Sequence, residues 1–216
     1  MKLMLPKKQD LIETSSEDPV RFYYAPLLGW FYKERLKISL DLIENKKKQK
    51  VLDIGYGSGI LFPELSQRFE LLYGCDIHSE GSRVKKIFKR QNIEIQLVRG
   101  SILNLPYRDE SFDTIVCISV LEHISELDKV NSEIFRTLKH KGNLIISFPS
   151  SKLIMGILFK LTLISYKHPF KHISDENVIL NSLKKFFTVK KLISFPNFMP
   201  FNLSFYFSCK CEKRYD

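Results

Sequence analysis

Cysteine is scarce in this sequence, and its few positions follow no recognisable framework. Only four of the 216 residues are cysteine, and no Cys-x-x-Cys pair or Cys/His set has the spacing of a zinc site. We therefore expect no disulfide framework and no metal, and we predict a reduced, cytosolic protein.

Long apolar runs and repeats are missing as well. Residues 3–5 are followed by Pro6 and are too short for a signal peptide. The most apolar segment, residues 153–164, is interrupted by Lys160 and is shorter than a membrane span. No internal repeat or low-complexity linker divides the chain, so its length predicts a single domain over residues 1–216.

Acidic residues are outnumbered by basic ones, 24 to 34, and the formal net charge is +10. Such an excess is compatible with an anionic partner, either a nucleic acid or a lipid headgroup. The alternative is a set of scattered, solvated lysines at helix ends and in loops. We favour this second interpretation, which argues against a nucleic-acid partner.

Glycine is also sparse, with nine residues, yet three of them stand together within residues 51–59. The apolar residues Val51 to Ile54 are typical of a buried parallel strand. The glycines that follow predict a tight turn that a ligand can approach closely. A helix beginning after that turn offers unpaired N–H groups and a positive dipole end. This stretch therefore predicts a cofactor-binding turn.

Two details indicate which cofactor binds. The glycine spacing is Gly-x-Gly-x-Gly, and Ile60 replaces the last glycine of the dinucleotide fingerprint. Asp53, at the end of the strand, would repel a pyrophosphate but attract an ammonium group. Asp76 ends a second predicted strand 23 residues later, where a carboxylate can bind a ribose diol. A ligand with an amine, a sulfonium and a ribose fits this pattern, and we predict S-adenosyl-L-methionine.

Four ordered motifs carry a resemblance to a known family. They occupy residues 51–59, 74–76, 104–113 and 120–124. Together they resemble the motifs of class I S-adenosylmethionine-dependent methyltransferases, in particular the small branch similar to the ubiquinone and menaquinone enzymes. The resemblance covers residues 45–150. It implies an α/β, Rossmann-like fold with a seven-stranded, mostly parallel open sheet, helices on both faces and an antiparallel last strand.

The resemblance also implies a methyltransferase that releases S-adenosyl-L-homocysteine, and a set of cofactor-binding residues. Ser101 departs from the family pattern, because an Asp commonly accepts the adenine amino hydrogen bond at this position. A hydroxyl accepts such a bond more weakly than an anion does. The implied cofactor-binding residues are Asp53, Gly55, Tyr56, Gly57, Gly59, Asp76, Ile77, Ser101, Ile102, Ile118 and Ser119.

An aromatic N-terminal segment is expected to cap the cofactor pocket. Tyr23 and Tyr24 either face the sulfonium through cation–π attraction or simply pack the helix on the sheet. Pro26 should split this helix. The expected parts of the domain are an N-terminal helical cap (1–45), a cofactor-binding core (46–149), an apolar lid insertion (150–172) and a C-terminal helix with closing strands (173–216).

The insertion has three open interpretations. It is a lid over an apolar acceptor, with Leu158 and Phe159 facing that acceptor, or a contact with a membrane surface, or a core helix. A membrane contact would make the cytosolic protein peripheral to a membrane.

Methyl transfer mainly requires alignment of acceptor, methyl and sulfur. An oxygen acceptor also needs a base to remove its proton. The candidates are Glu122, His123, His168 and His172. The alternatives are a backbone-bonded His123 at a helix start, solvated loop histidines at the other two positions, and a Glu122 that orients the methionine end of the cofactor.

The acceptor is predicted to be a small or lipid-like molecule, methylated at oxygen or carbon. The Asn/Asp-Pro-Pro-aromatic motif of amino-group methyltransferases is absent, because residues 118–121 are Ile-Ser-Val-Leu. Two alternatives remain: a catalytically weak cofactor-binding protein, and an RNA-binding methyltransferase-like module. The oligomeric state stays open.

Helix boundaries are predicted from capping residues. Asp18 before Pro19 and Ser174 are expected to cap helices. Ser125 and Asp128 form a capping-box pattern, and the helix they begin is expected to stop at Gly142.

Overall fold

The computed structural model describes residues 3–15, 18–26, 28–44, 49–150 and 172–214. The predicted lid residues Leu158 and Phe159, and the candidate base His168, lie outside the described residues. The lid therefore stays a prediction.

The described residues form seven strands and six α-helices. The strands are β1 (Lys50–Ile54), β2 (Leu71–Asp76), β3 (Ile95–Arg99), β4 (Phe112–Ile118), β5 (Leu138–Pro149), β6 (Phe187–Phe195) and β7 (Tyr206–Lys213). The α-helices are α1 (Val20–Tyr23), α2 (Leu28–Leu40), α3 (Phe62–Arg68), α4 (Gly81–Lys89), α5 (Leu127–Thr137) and α6 (Glu176–Phe186). Short 3₁₀ turns are formed by Lys8–Asp10, Leu121–His123 and Phe201–Leu203.

The strands form one sheet in the order β3-β2-β1-β4-β5-β7-β6. Strands β1 to β5 are parallel to one another, whereas β7 runs antiparallel to both β5 and β6. The strand order reverses between β1 and β4, and ligands of open α/β sheets bind beyond the carboxyl ends of the strands at such a point. The predicted fold class is confirmed.

The core consists of one apolar layer on each face of the sheet. Val51 faces the layer that contains α1 to α4, and its neighbour Leu52 faces the layer that contains α5 and α6. This alternation follows from the two-residue period of a strand. Both side chains are fully buried, and burying each stabilises the fold by about 2 kcal/mol. The apolar sequence of β1 is therefore explained by burial on two faces.

The predicted caps of α5 and α6 are wrong. Asp175, not Ser174, caps α6, and its carboxylate accepts from the N–H groups of Asn177 and Val178 at 2.8 and 2.9 Å. The Ser174 hydroxyl instead donates to the Ile124 carbonyl at 2.6 Å.

In α5 the N-cap residue is Glu126, without a side-chain cap. Asp128 accepts from the Ser182 hydroxyl and from Lys185 of α6, both at 2.6 Å. In both helices a long-range partner has replaced the expected local one.

Two other helix boundaries differ in part. The split at Pro26 is confirmed. The N-cap position of α1 is Pro19, one residue after the predicted Asp18. The Asp18 carboxylate accepts from Thr14. Burial raises the pKa of that carboxyl, and hydrogen bonds from Thr14 and from the Val20 N–H oppose the rise. Helix α5 ends at Thr137, before Gly142, because β5 already begins at Leu138 and pairs there with Phe112.

Candidate active site

The glycine turn after β1 is shaped by close packing. Gly55 and Gly59 have φ angles of +72° and +79°, which side chains other than glycine rarely adopt. A Cβ at Gly55 would lie 2.3 Å from Val120 Cγ2, and a Cβ at Gly59 would lie 2.5 Å from Phe62 Cδ2. The turn therefore needs both glycines, and it brings the backbone of residues 55–59 to the carboxyl edge of the sheet.

Asp53 stands one residue before the end of β1 and is almost completely buried, with 2% of its surface exposed. Burial, and secondly the charge of Asp76, raise the pKa of its carboxyl well above the ordinary value. Its ionised form is therefore costly until a cation binds nearby. An ammonium group would supply that cation.

Asp76 ends β2 and lies next to the turn. Its Oδ2 accepts the Gly57 N–H at 2.8 Å. Asp53 and Asp76 lie on neighbouring parallel strands, since Asp53 is opposite Gly74. Carboxylates at the ends of these two strands suit the amine and the ribose of one extended ligand.

His78 is a residue of this site that the sequence analysis missed. Its Nδ1 accepts the Glu80 N–H at 3.0 Å, so the neutral ring carries its hydrogen on Nε2. That Nε2 donates to the Gly57 carbonyl at 3.1 Å and lies 3.6 Å from Asp76 Oδ2. The imidazole thus links the end of β2 to the glycine turn. Its position two residues after Asp76 was the available sequence signal.

The ring of Tyr56 packs on the core side of the glycine turn. Its ring is 4% exposed and packs against Phe62 and edge-on to His78, with centroid distances of 5.6 and 4.9 Å. A Cβ at Gly74 would lie 2.7 Å from Tyr56 Cδ1. The side chain of Tyr56 therefore occupies the core, and its part in cofactor binding stays a prediction about its backbone.

The residues expected near the adenine lie after β2 and β3. Ile77 is largely exposed, whereas Ile102 is buried. Ser101 Oγ accepts the Leu103 N–H at 3.2 Å. A hydroxyl oxygen has two lone pairs, so one remains available for an adenine amino group.

The end of β4 faces the antiparallel strands. Ser119, which follows Ile118, has a φ of +57°, and its N–H donates to the Ser147 carbonyl at 2.7 Å. The Ser119 hydroxyl lies 2.8 Å from the Tyr206 hydroxyl. Tyr206, on β7, therefore borders the residues predicted from β4.

The two tyrosines predicted in the cap have different surroundings. Tyr23 is buried, and burial raises the pKa of its hydroxyl, with smaller effects from Arg35, Asp18 and Asp53. Tyr24 is half-buried, and its hydroxyl donates to the Pro6 carbonyl. Tyr23 is therefore electrostatically coupled to the acid of β1, whereas the hydroxyl of Tyr24 is engaged by the N-terminal segment.

Three of the four candidate bases lie together beyond β4. Glu122 is buried in the 3₁₀ turn, and its Oε1 lies 3.9 Å from His123 Nε2. The His123 and His172 rings are 5.9 Å apart. Burial and the neighbouring His123 lower the pKa of His172, opposed by Glu176. His172 is thus held in its neutral form, which can accept a proton.

Two absences concern the described part of the chain. Residues 3–150 and 172–214, where described, contain no cluster of His, Cys, Asp and Glu that could hold a metal ion. No helix among the described residues is long and apolar enough to cross a membrane.

Known proteins resemble this chain in sequence. A family model described as "Methyltransferase domain" matches residues 52–146. A protein of Methanocaldococcus jannaschii named Uncharacterized protein MJ0638 is 38% identical over 52% of this chain and 46% of its own length. The demethylmenaquinone methyltransferase of Paenarthrobacter aurescens is 32% identical over 51% of this chain and 43% of its own. The 24-methylenesterol C-methyltransferase 2 of Arabidopsis thaliana is 28% identical over 59% and 37%.

Solved structures match more of the chain. The PH0226 protein of Pyrococcus horikoshii superimposes with a TM-score of 0.70 at 20% identity, over 91% of this chain and 96% of its own. A geranyl diphosphate methyltransferase in complex with S-adenosylmethionine gives a TM-score of 0.69 at 12% identity, over 87% of both chains. These two likenesses show the fold.

Residues 52–146 thus match the methyltransferase-domain family, and the fold of the chain is the α/β methyltransferase fold. The family match agrees with the methyltransferase class and the methyl donor that the motifs predict, and it implies a methyl acceptor. The chain spans about half the length of the first curated relatives that it matches, at 46% for MJ0638.

Proposed function

We propose that this protein transfers a methyl group from S-adenosylmethionine to an oxygen or carbon atom of a small, lipid-like acceptor. The names of two relatives support an apolar acceptor, since one is a demethylmenaquinone and the other a 24-methylenesterol methyltransferase. Exposed aromatic side chains lie at the end of β6. Phe198, which is 79% exposed, follows this strand. Trp30 packs on Phe195, the last residue of the strand, with ring centroids 5.7 Å apart. Such rings suit a lipid-like partner.

The single observation that carries the proposal is the His123–His172 pair beside the buried Glu122. The pair follows β4, whose carboxyl end lies next to the glycine turn. A neutral imidazole there can take the proton of an acceptor hydroxyl or acidic C–H while the methyl group leaves the sulfonium. The acceptor oxygen or carbon gains the methyl group, and S-adenosylhomocysteine departs with the electron pair of the broken C–S bond.

The test is transfer of a labelled methyl group from S-adenosylmethionine to a demethylated prenylquinol, with RNA as the competing acceptor. We expect label in the quinol product and none in RNA. His172→Gln should lower kcat by about 100-fold or more, the usual contribution of a general base. His140→Gln is the matched control, because His140 is exposed near the amino end of β5.

The pH profile separates a base from a structural histidine. Because its pKa lies below the ordinary value, His172 should sustain activity down to slightly acidic pH, and the acidic limb should disappear in His172→Gln. Labelled RNA together with an unlabelled quinol would replace this proposal by the RNA-binding module. Cofactor binding without transfer to either acceptor would support the catalytically weak module.

A further inference from the structure

Arg35, on α2, is a buried cation with no acidic partner among the described residues. Only 7% of its surface is exposed. No carboxylate oxygen of the described residues lies within 4 Å of its guanidinium, the distance at which an ion pair forms. In the same part of the chain, its Nε finds no hydrogen-bond partner. Buried charges in proteins are normally paired, because removing them from water is costly.

Three tyrosines surround the guanidinium. It lies over the ring of Tyr32 at 4.2 Å and within 5.2 Å of the Tyr206 ring. Its Nη2 donates to the Tyr23 hydroxyl at 3.4 Å, which is a long bond. The rings offset part of the desolvation through cation–π attraction. Burial raises the pKa of both Tyr23 and Tyr206, so these hydroxyls stay neutral and supply no counter-charge.

The same tyrosines connect Arg35 to the active site. Tyr206 contacts Ser119 at the end of β4 through their hydroxyls, 2.8 Å apart. Tyr23 is influenced by the charges of Asp18 and Asp53, beside the glycine turn. Neither acid owes its shifted pKa to Arg35. The guanidinium thus lies between two residues that border the site, with its positive charge uncompensated.

We propose that Arg35 binds the carboxylate of a ligand in the active site. A guanidinium forms two parallel N–H···O bonds with a carboxylate, and Tyr23 and Tyr206 can add hydroxyl donors. This carboxylate can belong to the amino-acid end of the cofactor or to an acceptor that carries an acid group. The inference rests on the proposed function for the location of the site, but it concerns binding and is testable without methyl transfer.

A stability measurement distinguishes this role from a structural one. If the Arg35 guanidinium is paired only when a ligand carboxylate binds, Arg35→Met removes an unpaired buried cation from the ligand-free protein. The methionine side chain is of similar length and still covers Tyr32. The ligand-free variant should then melt at the same or a higher temperature than the wild type. A structural cation–π residue would instead give a lower melting temperature.

The deciding experiment is a calorimetric titration of wild type and Arg35→Met with S-adenosylhomocysteine and with 5′-methylthioadenosine, which lacks the amino-acid end. If Arg35→Met lowers the affinity for S-adenosylhomocysteine by about tenfold or more and leaves that for 5′-methylthioadenosine unchanged, the carboxylate is that of the cofactor. If both are unchanged, 4-hydroxybenzoate is titrated into the S-adenosylhomocysteine complex. Binding to wild type and not to the variant then assigns it to the acceptor.

Lys37→Met is the matched control, because Lys37 is a partly exposed cation on the same helix. Should Arg35→Met not fold, Arg35→Gln gives the same comparison with a polar neutral side chain. Equal binding of all three compounds by wild type and the neutral variant overturns the proposal. Failure of S-adenosylhomocysteine to bind the wild type would instead count against the proposed function.

Discussion

The two halves of the active site are built in different ways. We call β1, the glycine turn and β2 the cofactor half of the proposed site. We call Tyr23, Arg35, His123, His172 and Tyr206, which we propose to face the acceptor or the carboxylate of a ligand, the acceptor half. The acids and the turn of the cofactor half fall within residues 53–78, and backbone N–H groups of Gly55 and Gly57 tie the turn to β2. The acceptor half is assembled from residues distributed from α1 to β7. A short motif therefore specifies the first half, whereas only the fold brings the second together.

Their charges differ as well. The cofactor half contains two buried or partly buried acids, Asp53 and Asp76. The acceptor half contains a buried arginine and a histidine pair. An amine, a sulfonium and a ribose suit the first half, and an acid or an ionising acceptor suits the second.

The largest effect is expected for Asp76→Ala. If Asp76 binds both ribose hydroxyls as predicted, its loss should weaken the binding of S-adenosylhomocysteine by about 100-fold or more, because hydrogen bonds to charged groups contribute about 1.5–3 kcal/mol each. Calorimetric titration measures the change. Asp109→Ala is the control, since Asp109 is an exposed acid paired with Arg136. Unchanged affinity in Asp76→Ala would remove Asp76 from the cofactor half.

Asp53→Asn should weaken the cofactor by about tenfold, through loss of a charge-assisted hydrogen bond to the ammonium. It should also stabilise the ligand-free protein at pH 8. The folded-state pKa of Asp53 is raised, so the stability contributed by its protonated form is complete below about pH 3.9 and is lost as pH rises through the folded-state pKa.

Melting temperatures of wild type and Asp53→Asn at pH 8 and near pH 4 test the direction of this stability difference. The variant should melt higher at pH 8, and the difference should shrink at acidic pH. A variant that melts lower at pH 8 would mean that ionised Asp53 already has a stabilising partner.

His78→Ala should weaken the binding of S-adenosylhomocysteine by about tenfold or less, because it removes the hydrogen bond to the Gly57 carbonyl, which holds the turn, and the bond from the Glu80 N–H, which orients the ring. His78→Gln can restore the bond to the Gly57 carbonyl and should recover part of the affinity. Equal affinity of wild type and both variants would mean that the Gly55 N–H bond to Cys75, at 2.8 Å, already fixes the turn.

The smallest effect is expected at Ser101. Ser101→Asp should tighten S-adenosylhomocysteine by about threefold, because an anion accepts the adenine amino bond more strongly than a hydroxyl does. Ser101→Ala, its matched opposite, should weaken binding by a similar factor. The same titration measures both. If neither substitution changes affinity, the adenine lies away from residue 101.

Sequence patterns were sufficient for the sheet and for the positions of the glycine turn and its two acids, but not for His78. The run of Val51 to Ile54 predicts β1 because burial on both faces demands apolar residues, and Asp53 and Asp76 lie where the motifs expect them. Local sequence patterns did not predict the assembly of the acceptor half, because its residues come together only in the folded chain. Arg35 reads as an ordinary helix-surface arginine until α2 packs against Tyr206 of β7, 171 positions later.

The helix caps show the same division. Ser174 and Asp128 have the right chemistry for local caps, yet the carbonyl of Ile124 and the side chains of Ser182 and Lys185 bind them instead. Those partners come from other elements, so local sequence does not reveal them.

The most direct test of the whole account is a calorimetric titration of the wild-type protein with S-adenosylmethionine, S-adenosylhomocysteine and NAD. The glycine spacing and Asp53 predict that both adenosyl compounds bind at a single site, that they compete, and that NAD does not bind. Binding of NAD, or of neither adenosyl compound to the folded protein, would contradict the assignment of the cofactor half.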